Sequence, residues 1–141
     1  MTAAQLRIVL PADAVYSTAV GALFLAGTWD GLYSTLDLPQ GQPATFVQVG
    51  GAVFWGFAYL LWIASRTPAL MLPVARSSAL ANAIGAAVLV VWLIHGKLGI
   101  GTLGDVLLGA AAAISVAFTA LYLKAGLRPG GYGPEPPPPP G

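Results

Sequence analysis

Four long apolar stretches, separated by short polar segments, set the pattern of this chain. They cover residues 6–27, 44–65, 73–95 and 103–123. A helix that crosses a bilayer needs about 20 mostly apolar residues, because the hydrocarbon core is roughly 30 Å thick and each residue advances about 1.5 Å. Each stretch has that length, and none shows the alternation of a barrel strand. The pattern therefore predicts an all-α fold, a four-transmembrane-helix bundle.

Composition strengthens this prediction. The 141 residues include six Lys or Arg and five Asp or Glu, so 8% are charged, and the mean hydropathy is +0.77. A soluble domain carries about 25% charged residues because its surface must stay in water. We therefore expect an integral membrane protein whose first partner is the lipid bilayer, and no nucleic acid partner.

Prolines mark several expected helix boundaries. Pro43 and Pro73 stand beside the starts of the second and third stretches, where a helix-starting proline belongs. Pro11 lies inside the first stretch, where it leaves the carbonyl of Arg7 without a helical donor. We expect the third helix to begin at Pro73 and the first to bend near Pro11.

The basic residues predict the orientation, because Lys and Arg of short loops stay on the cytoplasmic side. In a four-span weave Lys97 falls alone on one side, and the other side holds Arg7, Arg66, Arg76, Lys124 and Arg128. Both termini are therefore expected in the cytoplasm. Residues 1–5, 66–72 and 125–141 would be cytoplasmic, and residues 28–43 and 96–102 would be outside.

The first outer loop has a helical apolar pattern of its own. On one helical face, at spacings of three and four residues, stand Trp29, Leu32, Tyr33 and Leu36. This pattern is typical of a short helix that lies in the membrane interface with its aromatic face among the lipid headgroups. Thr28 could cap it and Leu38-Pro39 could end it. We favour an anchored connector; the alternative is a lid over a cavity that opens outward.

Composition changes abruptly after residue 128, which closes a four-helix domain over residues 1–128. Residues 129–141 read PGGYGPEPPPPPG. Glycine breaks helices and consecutive prolines favour polyproline II, so this cytoplasmic tail is predicted to be disordered and extended. A solvated tail is the favoured interpretation, and docking on an aromatic groove of a partner protein is the alternative.

Polar residues inside the spans form the candidate site, because each is costly in a bilayer and needs a partner or a role. Counted inward from the basic residues that mark the cytoplasmic face, Asp13 and Asn82 lie at the same depth, about 9 Å along their helices. Similar counts from Arg66 and Lys124 add Tyr59 and Thr119 from the other two spans. Tyr16 and Ser17 stand three and four residues after Asp13, on the same helical face, and extend the layer toward the membrane centre. The predicted polar layer consists of Asp13, Tyr16, Ser17, Tyr59, Asn82 and Thr119.

Two interpretations of this layer remain open. The favoured one is a structural hydrogen-bond cluster that fixes how the helices pack, each bond contributing about 1 kcal/mol. The alternative is a binding or proton-handling site with Asp13 as its ionisable centre. Structure is favoured over binding because one carboxylate without a second acid, base or metal ligand offers little chemistry.

No residue group predicts a catalytic, cofactor or metal site. His95, the only histidine, stands at the end of the third span, so interfacial hydrogen bonding is favoured over a pH-sensitive role. Gly99, Gly101 and Gly104 match the GxGxxG spacing, but that phosphate-binding fingerprint requires a strand before it and a helix after it in a βαβ unit. We attribute the match to chance and expect no cofactor.

Small residues four positions apart predict close helix packing. The pairs are Ala81 with Gly85, Gly109 with Ala113, and Ala113 with Ala117. They can pack the bundle internally or form a dimer interface, and the spacing does not separate the two.

Two segments carry a family resemblance. DAVYSTAVG at residues 13–21, and LDLPQ followed by VGGAVFWGFAYLLW, resemble small bacterial four-helix membrane proteins. The layout of residues 6–124 is distantly similar to that of DoxX-like proteins. The resemblance implies a bacterial inner-membrane protein, and it carries over no activity and no catalytic residue.

Three functional classes follow. We favour a non-catalytic accessory or scaffold component, whose small-residue faces, interfacial helix and tail contact a membrane-protein partner. The second class is a small carrier or channel lined by the Asp13 layer, which would need a homo-oligomer because four spans rarely enclose a path. The third, suggested by the DoxX-like resemblance, is a membrane enzyme or redox partner that acts on a lipid or a quinone.

Overall fold

The computed structural model describes residues 3–27, 29–38, 44–95 and 101–126, and this part of the chain is helical without any strand. The helices are α1 (Ala3–Leu25), α2 (Asp30–Thr35), α3 (Ala44–Arg66), α4 (Pro68–His95) and α5 (Thr102–Gly126). All except α2 are long and apolar enough to cross a membrane, which confirms the prediction of four helices with the length and apolarity of spans. The predicted tail and the predicted cap at Thr28 lie outside the described residues.

The third span begins earlier than predicted. α4 starts at Pro68, and Thr67 is the single residue between α3 and α4. A residue before proline disfavours helical backbone, and a first-turn proline needs no helical donor, so Thr67 and Pro68 form the boundary. Pro73 lies inside α4. The predicted start at Pro73 is therefore wrong, and residues 68–72 are helix rather than loop.

The long helices form two pairs, α1 with α3 and α4 with α5, and fewer contacts join one pair to the other. One buried cluster joins all four helices where α1 and α4 begin and α3 and α5 end. Its members are Leu6, Leu10, Ala14, Ala58, Leu61, Ala64, Met71, Val74, Ala75, Ala79, Tyr122 and Ala125. The same end carries four basic residues, and we call it the basic end: Arg7, Arg66, Arg76 and Lys124.

Glycines bring α1 and α3 into close contact. A Cβ atom added at Gly51 would lie 2.7 Å from the carbonyl oxygen of Gly21 and 2.8 Å from the backbone nitrogen of Leu25. Atoms this close leave no room for any side chain, so the two backbones touch directly. Small residues permit such an approach between spans.

The small-residue pairs on α4 and α5 do not pack inside the bundle. A Cβ atom added at Gly85 or Gly109 would meet no atom within 4 Å. Ala81, Ala113 and Ala117 are exposed. Of the two alternatives, internal packing is therefore the one that the structure does not support, because these positions turn away from the other helices. These positions on α4 and α5 remain uncovered.

α2 contacts the C-terminal end of α1 through Tyr33. Tyr33 is 4% exposed, and its hydroxyl donates to the carbonyl of Leu23, in the last turn of α1, at 3.0 Å. Burial raises the pKa of the Tyr33 phenol above its usual range. The last carbonyls of a helix have no intrahelical donor, so Tyr33 satisfies one of them.

A Schellman motif ends α2, and Pro39 of the predicted Leu38-Pro39 stop lies outside the described residues. The backbone N–H of Leu38 donates to the carbonyl of Tyr33 at 2.9 Å, and that of Asp37 donates to Ser34 at 3.3 Å. Asp37 has a φ of 52°, the left-handed conformation that this motif requires. Trp29, on the predicted aromatic face, is 65% exposed.

Candidate functional site

Asp13 lies on the buried face of α1. Leu6, Leu10, Asp13 and Ser17 follow one another at spacings of three and four residues, and each is at most 2% exposed. This spacing places them on a single helical stripe. The stripe turns toward α4 and α5, so the carboxyl group of Asp13 enters the bundle near the basic end.

Three side chains donate hydrogen bonds to this carboxyl group. Oδ2 accepts from the hydroxyl of Tyr122 at 2.8 Å and from Nδ2 of Asn82 at 3.1 Å. Oδ1 accepts from Oγ of Ser17 at 3.4 Å. All three donors are neutral and belong to α1, α4 and α5. We call this group the Asp13 cluster: Asp13, Ser17, Asn82 and Tyr122.

Asn82 and Tyr122 are held in place by further contacts. Nδ2 of Asn82 also donates to the carbonyl of Ser78, one turn earlier in α4, at 3.1 Å. The ring of Tyr122 stacks on that of Phe118, with centroids 6.2 Å apart. Contacts within α4 and α5 therefore hold Asn82 and Tyr122 in positions from which they can donate to Asp13.

Tyr122 is the member that depth counting missed. It lies two residues from Lys124, so its backbone is close to the basic end and outside the counted layer. Side chains in a helix lean toward the helix N-terminus. In α5 that direction leads into the bundle, and the long phenol reaches Asp13. A tyrosine one turn after Thr119 was the available signal in the sequence.

Two of the predicted residues make polar contacts elsewhere. The hydroxyl of Tyr16 donates to the carbonyl of Ala111 at 3.2 Å and lies 3.5 Å from Oγ of Ser115. The hydroxyl of Thr119 donates to the carbonyls of Ser115 at 2.9 Å and Ala79 at 3.4 Å. They join α5 to α1 and to α4 beside the Asp13 cluster without touching Asp13.

Tyr59 does not belong to the layer. Its side chain is 68% exposed. The inward face of α3 consists of Ala58, Leu61 and Ala64, which are at most 5% exposed, and Tyr59 points away from it. Tyr59 has the predicted depth along α3, but its side chain lies on the outer side of that helix. The prediction of a layer from all four helices is corrected to a cluster from three.

One buried hydroxyl near the cluster has no partner. Oγ of Ser78 is fully buried and makes no hydrogen bond, although the carbonyl of the same residue accepts from Asn82. A buried polar group without a partner costs about 1–3 kcal/mol. The unpaired hydroxyl of Ser78 therefore lowers stability, whereas the side chains of the neighbouring Asp13 cluster are hydrogen-bonded.

The hydrogen bonds of the Asp13 cluster join α1, α4 and α5. Asp13 is 0% exposed and Tyr122 1%, so the carboxyl group is closed off from the surroundings of the bundle. Among the described residues no group of three or more His, Cys, Asp or Glu side chains is placed to hold a metal ion. His95 lies apart, with Nδ1 2.8 Å from the carbonyl of Val91 in its own helix.

Comparison with protein-family models, curated proteins and solved structures finds no match to this chain. The similarity to DoxX-like proteins thus remains a resemblance in layout, and the functional argument depends on this chain's own residues.

Proposed function

We propose that this chain is a non-catalytic component of a bacterial inner membrane, an accessory or scaffold protein that contacts another membrane protein. The hydrogen bonding of Asp13 supports the proposal. Its carboxyl group, which is costly to bury inside a span, is 0% exposed and accepts hydrogen bonds from α4 and α5. Such a cluster fixes helix positions, and a fixed bundle is what a scaffold presents to its partner.

The uncovered small residues support a partner on α4 and α5. Gly85 and Gly109 have open space where a Cβ atom would stand, and Ala81, Ala113 and Ala117 are exposed. Small residues let a helix of another protein approach closely in a bilayer, where packing rather than hydrophobic burial drives association. The interfacial α2 and the proline-rich residues 129–141 are further proposed contact surfaces.

The proposed orientation places both termini in the cytoplasm. Five of the six Lys and Arg residues then stand on the cytoplasmic side, as the positive-inside rule favours. The basic end of the bundle would face the cytoplasm, and α2 would lie at the outer face.

Purification from native membranes in mild detergent tests the proposal. We expect the wild-type protein to elute with a second membrane protein in a defined complex. Gly85→Leu and Gly109→Leu should weaken that complex, because each fills the space a partner helix would use. Gly56→Leu on α3 is the matched control, since a Cβ atom there also meets nothing within 4 Å.

Other outcomes favour the other classes. A homo-oligomer whose ion flux is lost in Asp13→Asn would indicate a carrier or channel. A co-purifying quinone would indicate a redox enzyme or its partner. A monomer that binds no second membrane protein, no second copy and no quinone would contradict the proposed surface on α4 and α5. A complex that the Gly56 variant weakens as much as the Gly85 and Gly109 variants do would also contradict it.

A further inference from the structure

An open cleft lies between α1 and α3 at the basic end. Its volume is about 500 Å³, and it is lined by Arg7, Pro11, Trp62, Ser65 and Arg66. Two of the lining residues are cationic and none is acidic. The cleft lies outside the Asp13 cluster, and it is lined by α1 and α3 rather than by the surface on α4 and α5 that is proposed to contact a partner.

The guanidinium of Arg66 is held in position at this cleft. Its central carbon lies 4.6 Å from the ring centroid of Trp62, one turn earlier in α3. A guanidinium has five N–H donors, so contact with one ring leaves donors for a second partner. Arg66 can therefore lie over Trp62 and donate to an anion simultaneously. Arginine suits phosphate in particular, because its donors match two phosphate oxygens.

The remaining walls are apolar or weakly polar. Pro11 and Trp62 provide apolar surface, and the hydroxyl of Ser65 donates to the carbonyl of Trp62 at 2.7 Å. Trp62 is 43% exposed, and Tyr59, one turn away on the same face, is 68% exposed. An aromatic strip thus leads from the cationic cleft along the outside of α3.

Position along the spans identifies the ligand class. Arg7 lies in the second turn of α1, and Arg66 is the last residue of α3, so the cleft is at a membrane–water boundary if these helices span a bilayer. Tryptophan concentrates at that boundary. A ligand that places phosphate against two arginines and apolar chains along an aromatic strip is a glycerophospholipid.

We propose that this cleft binds the phosphate of a glycerophospholipid headgroup. Arg7 and Arg66 supply the charge, Trp62 holds Arg66 in place, and the acyl chains run along Trp62 and Tyr59. The inference is independent of the accessory role proposed above, because it concerns a different surface and makes no demand on α4 or α5.

Native mass spectrometry of the full-length protein in mixed micelles of phosphatidylglycerol and phosphatidylcholine tests this site. We expect the wild-type protein to retain phosphatidylglycerol preferentially. Arg7→Gln and Arg66→Gln should each reduce that retention about fivefold, as the loss of one basic contact to an anionic headgroup implies. Arg76→Gln is the matched control, since Arg76 is an exposed arginine on α4 outside the cleft.

Two further measurements separate the alternatives. For the wild-type protein, rising ionic strength should release phosphatidylglycerol more than phosphatidylcholine, whose headgroup has no net charge. No folding defect of a variant can disturb this test. Soluble glycerol 3-phosphate, added to delipidated protein, should bind weakly and displace little lipid. Strong binding that requires Arg7 and Arg66 would instead assign the cleft to a free phosphate compound. Equal retention in the wild type and both cleft variants, or an equal loss in Arg76→Gln, would overturn the inference.

Discussion

The phenol of Tyr122 donates a 2.8 Å hydrogen bond to Oδ2 of Asp13, joining α5 to α1 across 109 positions of the chain. Asn82 donates to the same oxygen from α4 at 3.1 Å. A single carboxyl oxygen therefore links three helices. In a bilayer no water competes for these donors, so their loss acts directly on helix packing.

Removal of the Tyr122 hydroxyl should lower bundle stability. Tyr122→Phe keeps the ring and its stacking on Phe118 but takes away the shortest bond to Asp13, at a cost of about 1 kcal/mol. Tyr59→Phe is the matched control, because Tyr59 is 68% exposed. Thermal midpoints in detergent check the pair. Equal midpoints for the two variants would contradict a structural role for the Tyr122 hydroxyl.

Substitutions of Asp13 distinguish hydrogen bonding from apolar filling. Asp13→Asn keeps an oxygen that accepts from Tyr122 and Asn82, so we expect it to be tolerated. Asp13→Leu leaves both donors buried and unpaired, which should destabilise the protein by about 1–3 kcal/mol. Detergent melting of the three proteins checks the order. A Leu variant that melts at or above the wild type would mean that these bonds contribute nothing.

Depth along a span could be predicted from the sequence, whereas direction around a helix could not. Residue counts from the basic end predicted Asp13 and Asn82 at one depth, and helical spacing from Asp13 predicted Ser17. The structure joins both residues to the carboxyl group of Asp13. Tyr59 had a suitable depth but the wrong side of α3. The backbone of Tyr122 lies closer to the basic end than that of Asp13, but its long side chain reaches the carboxyl group of Asp13.

The spans themselves were predictable for a different reason. Apolar length is set by the bilayer and needs no knowledge of neighbours, so the four spans follow from the lengths of the apolar stretches alone. The contact between Gly21 and Gly51 depends on which helices pair, and small-residue spacing suggested α4 and α5 instead. Helix pairing is a property of the whole bundle, and short spacings carry little information about it.

Ser78 should be better replaced by alanine. Its hydroxyl is buried without a partner, so Ser78→Ala removes an unpaired polar group and should leave stability unchanged or raise it by about 1 kcal/mol. Ser17→Ala is the control, because that hydroxyl donates to Asp13. We expect its midpoint to fall. A clear loss of stability in the Ser78 variant would indicate that its hydroxyl has a partner in the membrane-embedded protein.

Gly51 should tolerate no larger residue. In Gly51→Ala the new methyl group would meet backbone atoms of Gly21 and Leu25 at 2.7 and 2.8 Å, so α1 and α3 must separate. Overpacking of this kind costs about 1–3 kcal/mol. Gly56→Ala, five residues later on α3, has open space and gains helix propensity, so its midpoint should equal or exceed that of the wild type. Equal destabilisation of both variants would contradict the close contact.

The proposed orientation can be tested with single cysteines, because the chain contains none of its own. Ser34 is exposed on α2, and Thr67 joins α3 to α4 at the basic end. If the basic residues set the topology, Ser34→Cys should react with a membrane-impermeant maleimide in intact cells, whereas Thr67→Cys should react only after the membrane is opened. The reverse pattern would invert the orientation while keeping the four spans. Reaction of both cysteines in intact cells would contradict the four-span weave itself, since α3 alone separates the two ends of the bundle on which these residues stand.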